Sequence, residues 1–219
     1  MSPVLQLFGS TPSSVAITHY IASLAQRMPV PGADTPEIKS YPDAVYFNYY
    51  SLGVSLLFTP RNGYKPQTGL KRGELKDENL ALDGVDVYNT PANKPETPHR
   101  SSTTSRPAEL AFSSYANLPL SVDLTAEVKD KDGKVILRPP QVVISPETMG
   151  KDLVSCLGEP DRKGGGAGPS SGSIGIWCEW SKDGLMVEFG GDEARGPQAW
   201  ERGKDAVWRV ISLFPPKST

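Results

Sequence analysis

The sequence has few of the residues on which catalytic and metal sites depend. Its 219 residues include two histidines and two cysteines. His19 falls in a predicted helix and His99 in a predicted linker, so neither can be placed in a Ser/His/Asp or Cys/His constellation. Cys156 and Cys178 lack the CxxC spacing, which argues against a zinc site and a disulfide scaffold. We therefore expect no enzymatic activity, no metal and no cofactor, and we interpret both cysteines as small core residues.

Excess charge and long apolar runs are also missing. The formal net charge is -2, so the chain has no global basic field of the kind that nucleic-acid binding requires. No run approaches the roughly 18 apolar residues that a membrane span needs, and residues 1–10 lack the positive flank of a signal peptide. We expect an intracellular, cytoplasmic protein that does not bind nucleic acid. Peripheral association with membranes stays open as an alternative.

Proline and glycine, by contrast, are abundant, with 21 residues of each, and they are concentrated in a few stretches. Residues 90–110, "TPANKPETPHRSSTTSRPAEL", contain almost no apolar side chains. Such a composition cannot offset the entropy lost on ordering, so we predict a disordered linker. Its "RSSTTSR" run is either part of an inert spacer or a target for a basophilic kinase.

Two stretches of the chain share one pattern of apolar residues around a turn, although most of their residues differ. "VYFNYYSLGVSLLF" covers residues 45–58, and "IWCEWSKDGLMVEF" covers residues 176–189. In each, apolar residues alternate on both sides of a turn, the first at Gly53 and the second at Asp183 and Gly184. This pattern is typical of a β-hairpin. We interpret the two stretches as copies of one duplicated unit.

The alignment of the two hairpins predicts which side chains face the core. Phe47 aligned with Trp177 leaves one inserted residue, Lys182, in the second turn. Either Trp177 or Trp180 faces inwards, because the sequence does not fix the register. The other residues predicted to be buried are Phe47, Leu56, Phe58, Val187 and Phe189.

The surroundings of the two hairpins also correspond. A predicted helix precedes each one, capped by Thr11 in the first copy and by Ser145 in the second, and ended by Gly158 in the second. The first helix carries a mostly one-sided apolar stripe of Val15, Ile17, Ile21 and Leu24. A β-rich run follows each hairpin, at 80–89 and 205–214. Each unit is therefore predicted to run helix, strand, strand, loop, strand.

We predict an α+β fold in which two related units, each a helix with an antiparallel sheet, pack together. The first unit covers residues 1–89 and the second covers residues 139–219. The disordered linker at 90–110 and a connecting β-hairpin at 111–138 lie between them. The strands of that hairpin could extend the sheet and join the units.

The glycine-rich segment "DRKGGGAGPSSGS", residues 161–173, is the most suggestive candidate site. Backbone N–H groups of such a segment can cradle phosphate, and Arg162 with Lys163 at its mouth add positive charge. The P-loop pattern is absent, because no Lys-Ser or Lys-Thr follows the glycines and a strand comes next. A flexible connection and a phosphate site therefore both fit the segment.

Hairpin topology predicts that this segment lies beside residues 190–204, "GGDEARGPQAWERGK", because the two ends of an antiparallel hairpin meet. The resulting rim carries both signs of charge, which suits a protein surface better than a polyphosphate. Trp200 is either an exposed anchor flanked by Arg202 or Arg195, or a ring folded onto the core. The predicted binding residues are Arg162, Lys163, Gly164, Gly165, Gly166, Arg195, Trp200 and Arg202.

The hairpin "YFNYYSLGVSLLF" resembles the aromatic hairpin of the phagosome assembly factor family. "LGEPDRKGG" resembles the Leu-Gly-x-Pro helix end that precedes such hairpins in that family. The acidic residue that often follows the Gly-Val pair there is Ser55 here. The resemblance implies a non-enzymatic protein that acts through a protein partner in autophagy-related membrane traffic, and it brings no catalytic residues.

Two functional hypotheses follow from these observations. The first is an interaction module that binds a protein through the rim or through an open sheet edge. The second is a peripheral protein that binds phosphoinositide headgroups with Arg162, Lys163 and the glycine-rich segment. Ionic strength separates them, because binding to a phosphoinositide weakens steeply as salt rises.

Overall fold

The computed structural model describes residues 4–90, 111–124, 127–129, 132–166 and 175–217. The described strands are β1 (Glu37–Ser40), β2 (Val45–Tyr49), β3 (Val54–Pro60), β4 (Leu80–Tyr88), β5 (Leu120–Asp123), β6 (Val128–Lys129), β7 (Val135–Ile136), β8 (Gln141–Ile144), β9 (Arg162–Gly164), β10 (Trp177–Trp180), β11 (Leu185–Phe189) and β12 (Trp208–Leu213). The described α-helices are α1 (Val15–Arg27), α2 (Gly150–Leu157) and α3 (Ala199–Arg202). Short 3-10 turns include Tyr50–Leu52, Arg72–Glu74, Ser181–Asp183, Asp192–Ala194 and Gly203–Asp205.

Eight strands form one sheet in the order β1-β2-β3-β4-β12-β11-β10-β9. Every pairing in it is antiparallel. The first half of the chain supplies α1 and β1 to β4, and the second half supplies α2, α3 and β9 to β12. The halves meet where β4 pairs with β12. The predicted α+β fold class is confirmed, with both halves sharing one sheet.

Each half has one strand more than the sequence predicts. β1 precedes the first hairpin and β9 precedes the second, and both lie at the outer edges of the sheet. Arg162, Lys163 and Gly164 therefore belong to an edge strand paired with β10, where we expected a loop.

The connecting hairpin does not extend the large sheet. β5 pairs with β8 and β6 pairs with β7, and each pair is a separate two-stranded sheet. The expectation that these strands extend the sheet is therefore wrong, and the hairpin continues past residue 138 as far as Ile144. Of the predicted linker at 90–110, Thr90 is described, and residues 91–110 lie outside the described residues.

The first helix begins later than predicted. The Ser14 hydroxyl accepts a hydrogen bond from the Ile17 backbone N–H at 3.3 Å, so Ser14 is the cap in place of Thr11. Val15 is 69% exposed and does not belong to the apolar stripe. The buried stripe of α1 consists of Ile17, Tyr20, Ile21 and Leu24.

The second helix also begins later than its predicted cap, Ser145. α2 starts at Gly150, and the Asp152 carboxylate accepts a hydrogen bond from the Met149 backbone N–H at 2.9 Å. The Ser145 backbone N–H instead donates to the Thr148 hydroxyl in a preceding turn. The helix ends before Gly158, as predicted. Among the described residues, no helix is long and apolar enough to cross a membrane.

The two hairpins have the same turn. In both, a three-residue 3-10 turn leads to a left-handed glycine, Gly53 with φ 64° and Gly184 with φ 65°. A side chain at either position would also collide with the backbone, because a Cβ would lie 2.4 Å from Ser113 O or 2.1 Å from Phe214 O. Glycine is therefore required at this turn for two reasons, the positive φ and the close backbone contact.

The shared turn corrects the alignment of the two hairpins. Counted back from the turn, Tyr49 corresponds to Trp180 and Phe47 corresponds to Cys178, with no residue inserted at Lys182. The alignment of Phe47 with Trp177 is therefore wrong by one residue. Trp180 is the tryptophan of this strand that faces the core, with 2% of its surface exposed.

Irregularities in strand pairing correspond as well. The pairing shifts between Leu57 and Phe58 in the first half and between Glu188 and Phe189 in the second. At the boundary between the two halves, Asp86 in β4 pairs directly with Ser212 in β12. These correspondences support the duplication hypothesis, which remains a prediction.

One hydrophobic core lies on the inner face of the sheet and includes α1, α2, β5 and β8. The buried residues predicted from the two hairpins are confirmed: Phe47 at 2%, Leu56 at 0%, Phe58 at 0%, Val187 at 0% and Phe189 at 3% exposure. We call the opposite side the outer face. It carries the other set of alternating side chains, including Asn48, Ser55, Asp86 and Ser212.

Candidate functional site

A groove of about 470 Å³ opens between α2 and the end of the sheet formed by β9 and β10. Its volume lies in the range of small-ligand pockets. We call it the α2 groove, and its principal lining residues are Val154, Lys163, Ile176, Cys178, Phe189 and Trp200. Its floor is the inner face of the sheet, so the apolar residues on it are continuous with the core.

The corrected alignment explains why the groove exists in the second half. Cys178 stands where the first half has Phe47, whose ring packs against Phe58 with centroids 4.9 Å apart. The Arg72 guanidinium covers the same ring at 5.2 Å. Phe189, the counterpart of Phe58, lines the α2 groove instead. Because a thiol replaces a phenyl ring, space that is filled in the first half is open in the second.

Cys178 contributes an apolar surface to the groove. Its thiol forms no disulfide, and it is 6% exposed. Burial raises the pKa of Cys178 to about 11, although the nearby Lys163 ammonium opposes the rise. The thiol is therefore protonated at neutral pH and lacks the thiolate character of a nucleophile.

Trp200 forms one wall of the groove from the short helix α3. It is 44% exposed, so the ring is not folded onto the core. The Lys163 ammonium nitrogen lies 5.6 Å from the centre of the ring, within the range of a cation–π contact. The prediction that Arg195 or Arg202 flanks the ring is wrong. The strand position of Lys163, opposite Cys178, brings the lysine there instead.

Lysines predominate among the charged residues around the groove. Lys151, Lys163 and Lys204 line it together with one carboxylate, Glu159. Lys151 also contacts Asp205 at 3.1 Å, with both side chains about half exposed, so this pair is weak. The rim thus favours a ligand with an apolar part for the floor and negative charge for its edge.

The structure brings the two predicted loops together. The Gly196 backbone N–H donates to the Gly166 carbonyl at 2.9 Å, and the Ile176 N–H donates to Ala194 at 3.0 Å. Gly165 and Gly166 have φ of 81° and 84°. A Cβ at Gly166 would lie 2.5 Å from the Cγ2 atom of Ile176, so the chain passes too close there for any side chain.

Arg162 does not share a surface with Lys163. The two are neighbours in β9, so their side chains point to opposite faces of the sheet. Arg162 pairs with Glu179 at 3.1 Å and lies 6.0 Å from the Trp177 ring on the outer face. Burial alone would raise the pKa of Glu179, but hydrogen bonds from Ser181 and Lys217, with the charges of Lys217 and Arg162, lower it.

The remaining predicted residues lie outside the groove. Gly164 packs under Trp177, where a Cβ would be 2.7 Å from the Cζ2 atom of the ring. The Arg195 Nε is buried and makes no hydrogen bond to a described residue. Arg202 lies 4.0 Å from Glu193 in an exposed pair. The last part of the glycine-rich segment, 167–173, lies outside the described residues.

Sequence reasoning missed the contribution of α2, Lys151 and Cys178, whereas Lys204 belongs to the predicted rim. The repeat contained a signal for the groove. In the correct alignment, Cys178 at the floor of the groove stands where the first half has the large aromatic residue Phe47. Among the described residues, no group of three or more His, Cys, Asp or Glu side chains could hold a metal ion.

No protein-family model, curated protein or solved structure matches this chain.

Proposed function

We propose that this chain is a non-enzymatic, intracellular protein-interaction module whose α2 groove takes a large apolar side chain from an acidic partner segment. The observation that carries the proposal is the combination of an apolar floor with the exposed Trp200 wall. Interaction hot spots consist of apolar pockets with aromatic residues at their centre. The resemblance to the phagosome assembly factor family supports a partner in autophagy-related membrane traffic.

The lysines indicate the charge of the partner. Lys163 and Lys204 are exposed beside the groove, and Lys163 is held at the Trp200 ring. Acidic residues next to the apolar anchor of the partner would contact these lysines and guide the encounter. The anchor itself would supply most of the affinity, because exposed ion pairs contribute little.

The test selects peptides from a random phage-displayed library on the full-length protein and measures their affinity by fluorescence anisotropy. Cys178→Phe refills the groove with the residue of the first half, and Trp200→Ala removes its wall. We expect each change to weaken binding by about 2 kcal/mol or more, roughly thirtyfold. Val30→Ala is the control, because Val30 is an apolar residue that is 46% exposed and lies in the first half.

Urea melts of the same variants separate binding from folding. The proposal requires Trp200→Ala to retain the wild-type unfolding midpoint, as expected for an exposed ring. Selected peptides that bind Cys178→Phe and Trp200→Ala as tightly as wild type would contradict the assignment of the groove. A Lys163→Glu variant then tests charge, and it should weaken the binding of acidic peptides in particular.

A second candidate is binding of phosphoinositide headgroups, which the three lysines around the groove favour. The apolar floor argues against it, because a polyphosphate needs several converging polar donors. Sedimentation with phosphatidylcholine vesicles, with and without phosphatidylinositol phosphates, tests it. Binding that requires the phosphoinositide and declines steeply with salt would favour this candidate over the peptide groove.

A further inference from the structure

The outer face carries a second cavity, which the proposed function does not use. It has a volume of about 730 Å³ and spans the seam between the two halves of the sheet. We call it the outer cleft. The residues that matter for its chemistry are Tyr46, Asn48, Ser55, Asp86, Tyr88 and Ser212.

A row of polar side chains crosses the floor of the outer cleft. Direct strand pairing places Asn48 beside Ser55, Ser55 beside Asp86, and Asp86 beside Ser212. The Ser55 hydroxyl donates to Asn48 Oδ1 at 2.7 Å, and the Ser212 hydroxyl donates to Asp86 Oδ1 at 2.6 Å. The row therefore consists of two hydrogen-bonded pairs, side by side on four adjacent strands.

Two polar atoms of this row have no partner among the described residues. Asn48 is 7% exposed, and its amide nitrogen donates no hydrogen bond there although the side chain lines the cleft. Asp86 uses Oδ1 for Ser212 and has no partner for Oδ2. Neither atom is fully buried, so a ligand in the cleft can reach both and supply the hydrogen bonds that they lack.

Aromatic rings lie on both sides of the polar row. Tyr46, two residues before Asn48, makes an edge contact with Tyr41, with ring centres 6.2 Å apart. Tyr88, two residues after Asp86, stacks on Phe112, with ring centres 3.8 Å apart and planes 5° from parallel. A group entering between them meets the faces or edges of several rings on its way to Asp86.

Charge decides what kind of group fits. Asp43, Asp86 and Glu188 line the cleft, whereas Lys39 is its one lysine among the lining residues, and Lys39 lies 3.4 Å from Glu37. The cleft is therefore negative as well as aromatic. Planar guanidinium groups stack on aromatic rings and hydrogen-bond to carboxylates, which makes arginine the best complement.

We propose that the outer cleft binds an arginine-bearing peptide segment, with its guanidinium group on Asp86 Oδ2 and its backbone carbonyl on the Asn48 amide. The site lies on the opposite face of the sheet from the α2 groove and is independent of it. Burial raises the pKa of Asp86 because it disfavours the charged carboxylate. A cationic partner would stabilise that charge.

The test uses acetyl-Gly-Arg-Arg-Gly-amide as the probe, with its citrulline and lysine counterparts, in titrations of the full-length protein followed by NMR. Citrulline keeps the shape of arginine and removes its charge. We expect the arginine peptide to shift the Asn48 side-chain amide and the Asp86 backbone amide. The citrulline peptide should bind at least about tenfold more weakly, as expected when a charge-assisted hydrogen bond is lost. The lysine peptide should also bind more weakly, because an ammonium group lacks the planar fork that stacks on aromatic rings.

Variants assign the effect to the cleft. Asp86→Asn keeps an acceptor for Ser212 and removes the charge, and it should weaken the arginine peptide at least about tenfold. Asp83→Asn is the matched control, because Asp83 is an exposed carboxylate in the same strand. Cys178→Phe should leave this affinity unchanged, so failure here is distinct from failure of the α2 groove. Equal binding of the citrulline peptide, or of the arginine peptide to Asp86→Asn, would overturn the proposal.

Discussion

A buried ion pair marks one position where single residues of the two halves differ. Asp183 ends the second hairpin turn where the first half has Leu52, and both residues are buried. The Arg138 guanidinium donates to both Asp183 oxygens, at 2.7 and 3.0 Å, and to the Leu157 carbonyl at 3.1 Å. This contact ties the connecting hairpin and the end of α2 to the second turn.

Removing one partner of this pair should be costly. Asp183→Ala leaves the buried guanidinium without its countercharge and should lower the free energy of unfolding by about 3–5 kcal/mol. The double change Arg138→Met with Asp183→Leu restores the apolar character of the first half and should lie much closer to wild type. Urea melts measure both. A double variant as unstable as Asp183→Ala would show that the hydrogen bonds of Arg138, and not charge burial, hold the turn.

Asp86 should make stability depend on pH. Its pKa is raised by burial, with the Ser212 hydrogen bond opposing the rise. Between the unfolded pKa of about 3.9 and the higher folded pKa, the folded state binds the extra proton, so stability falls as pH rises. Asp86→Asn removes this loss. Its gain over wild type should be smallest below the unfolded pKa and largest above the folded one.

Urea melts over a pH series test the Asp86 prediction against Asp83→Asn. That control removes an exposed carboxylate from the same strand and should show little dependence on pH. A gain for Asp86→Asn that is the same at every pH would mean that the charge of Asp86 is not the cause. A gain in stability at neutral pH would show that Asp86 lowers the free energy of unfolding of the wild-type protein. Residues that serve binding often have this effect.

At the scale of elements, the start of α2 depends on a close backbone approach. A Cβ on Gly150 would lie 2.5 Å from the Gly203 carbonyl oxygen, which is backbone and cannot rotate away. The Gly150 N–H also donates to the Ala206 carbonyl at 3.0 Å. Together these contacts fix α2 against the Gly203–Asp205 turn and set one side of the α2 groove.

Gly150→Ala should destabilise the protein in spite of helix propensity. Alanine gains up to about 1 kcal/mol over glycine in a helix interior, but the collision should cost about 1–3 kcal/mol. Gly73→Ala is the control, since a Cβ there meets no atom within 4 Å. Thermal melts should show a lower midpoint for Gly150→Ala and no lowering for Gly73→Ala. A raised midpoint would mean that α2 shifts freely and that the groove is adaptable.

The elements that the sequence predicts are those with a local signal. Both hairpins combine period-two alternation with a glycine turn, and both appear where expected. β1 and β9 have four and three residues, with charged side chains and no clear alternation, so only their neighbours in the sheet define them. The first helix cap was misplaced because several Ser and Thr residues precede the apolar stripe. The second was misplaced because the residue before α2 is Met149, whose type gives no capping signal.

The candidate site was only partly predictable, for a reason of register. The contact between residues around 166 and 196 follows from hairpin topology, and the exposure of Trp200 was one of two open alternatives. A one-residue error in the alignment, however, moves every side chain to the other face of a strand. It concealed the exchange of Phe47 for Cys178. Arg162 and Lys163 were assigned to one surface for a different reason, because a loop is predicted where the structure has the edge strand β9.

At the scale of the whole molecule, the seam between β4 and β12 makes one sheet from two halves. Val85 and Val87 in β4 are fully buried, as is Ile211 in β12. Either half alone would expose these residues and an unpaired strand edge. We therefore expect the protein to unfold as one cooperative unit, although its sequence contains two related segments.

The placement of tryptophan makes this cooperativity measurable. All four tryptophans, Trp177, Trp180, Trp200 and Trp208, are in the second half, so their fluorescence reports on that half alone. Leu56→Ala empties a fully buried site in β3 of the first half and should cost about 2–5 kcal/mol. Because the halves share a sheet, we expect the tryptophan transition in urea to move to lower concentration together with the far-UV circular dichroism transition. If the fluorescence midpoint stayed at its wild-type value while the dichroism signal showed an earlier loss of structure, the halves would be independent folding units and the seam a weak contact between them.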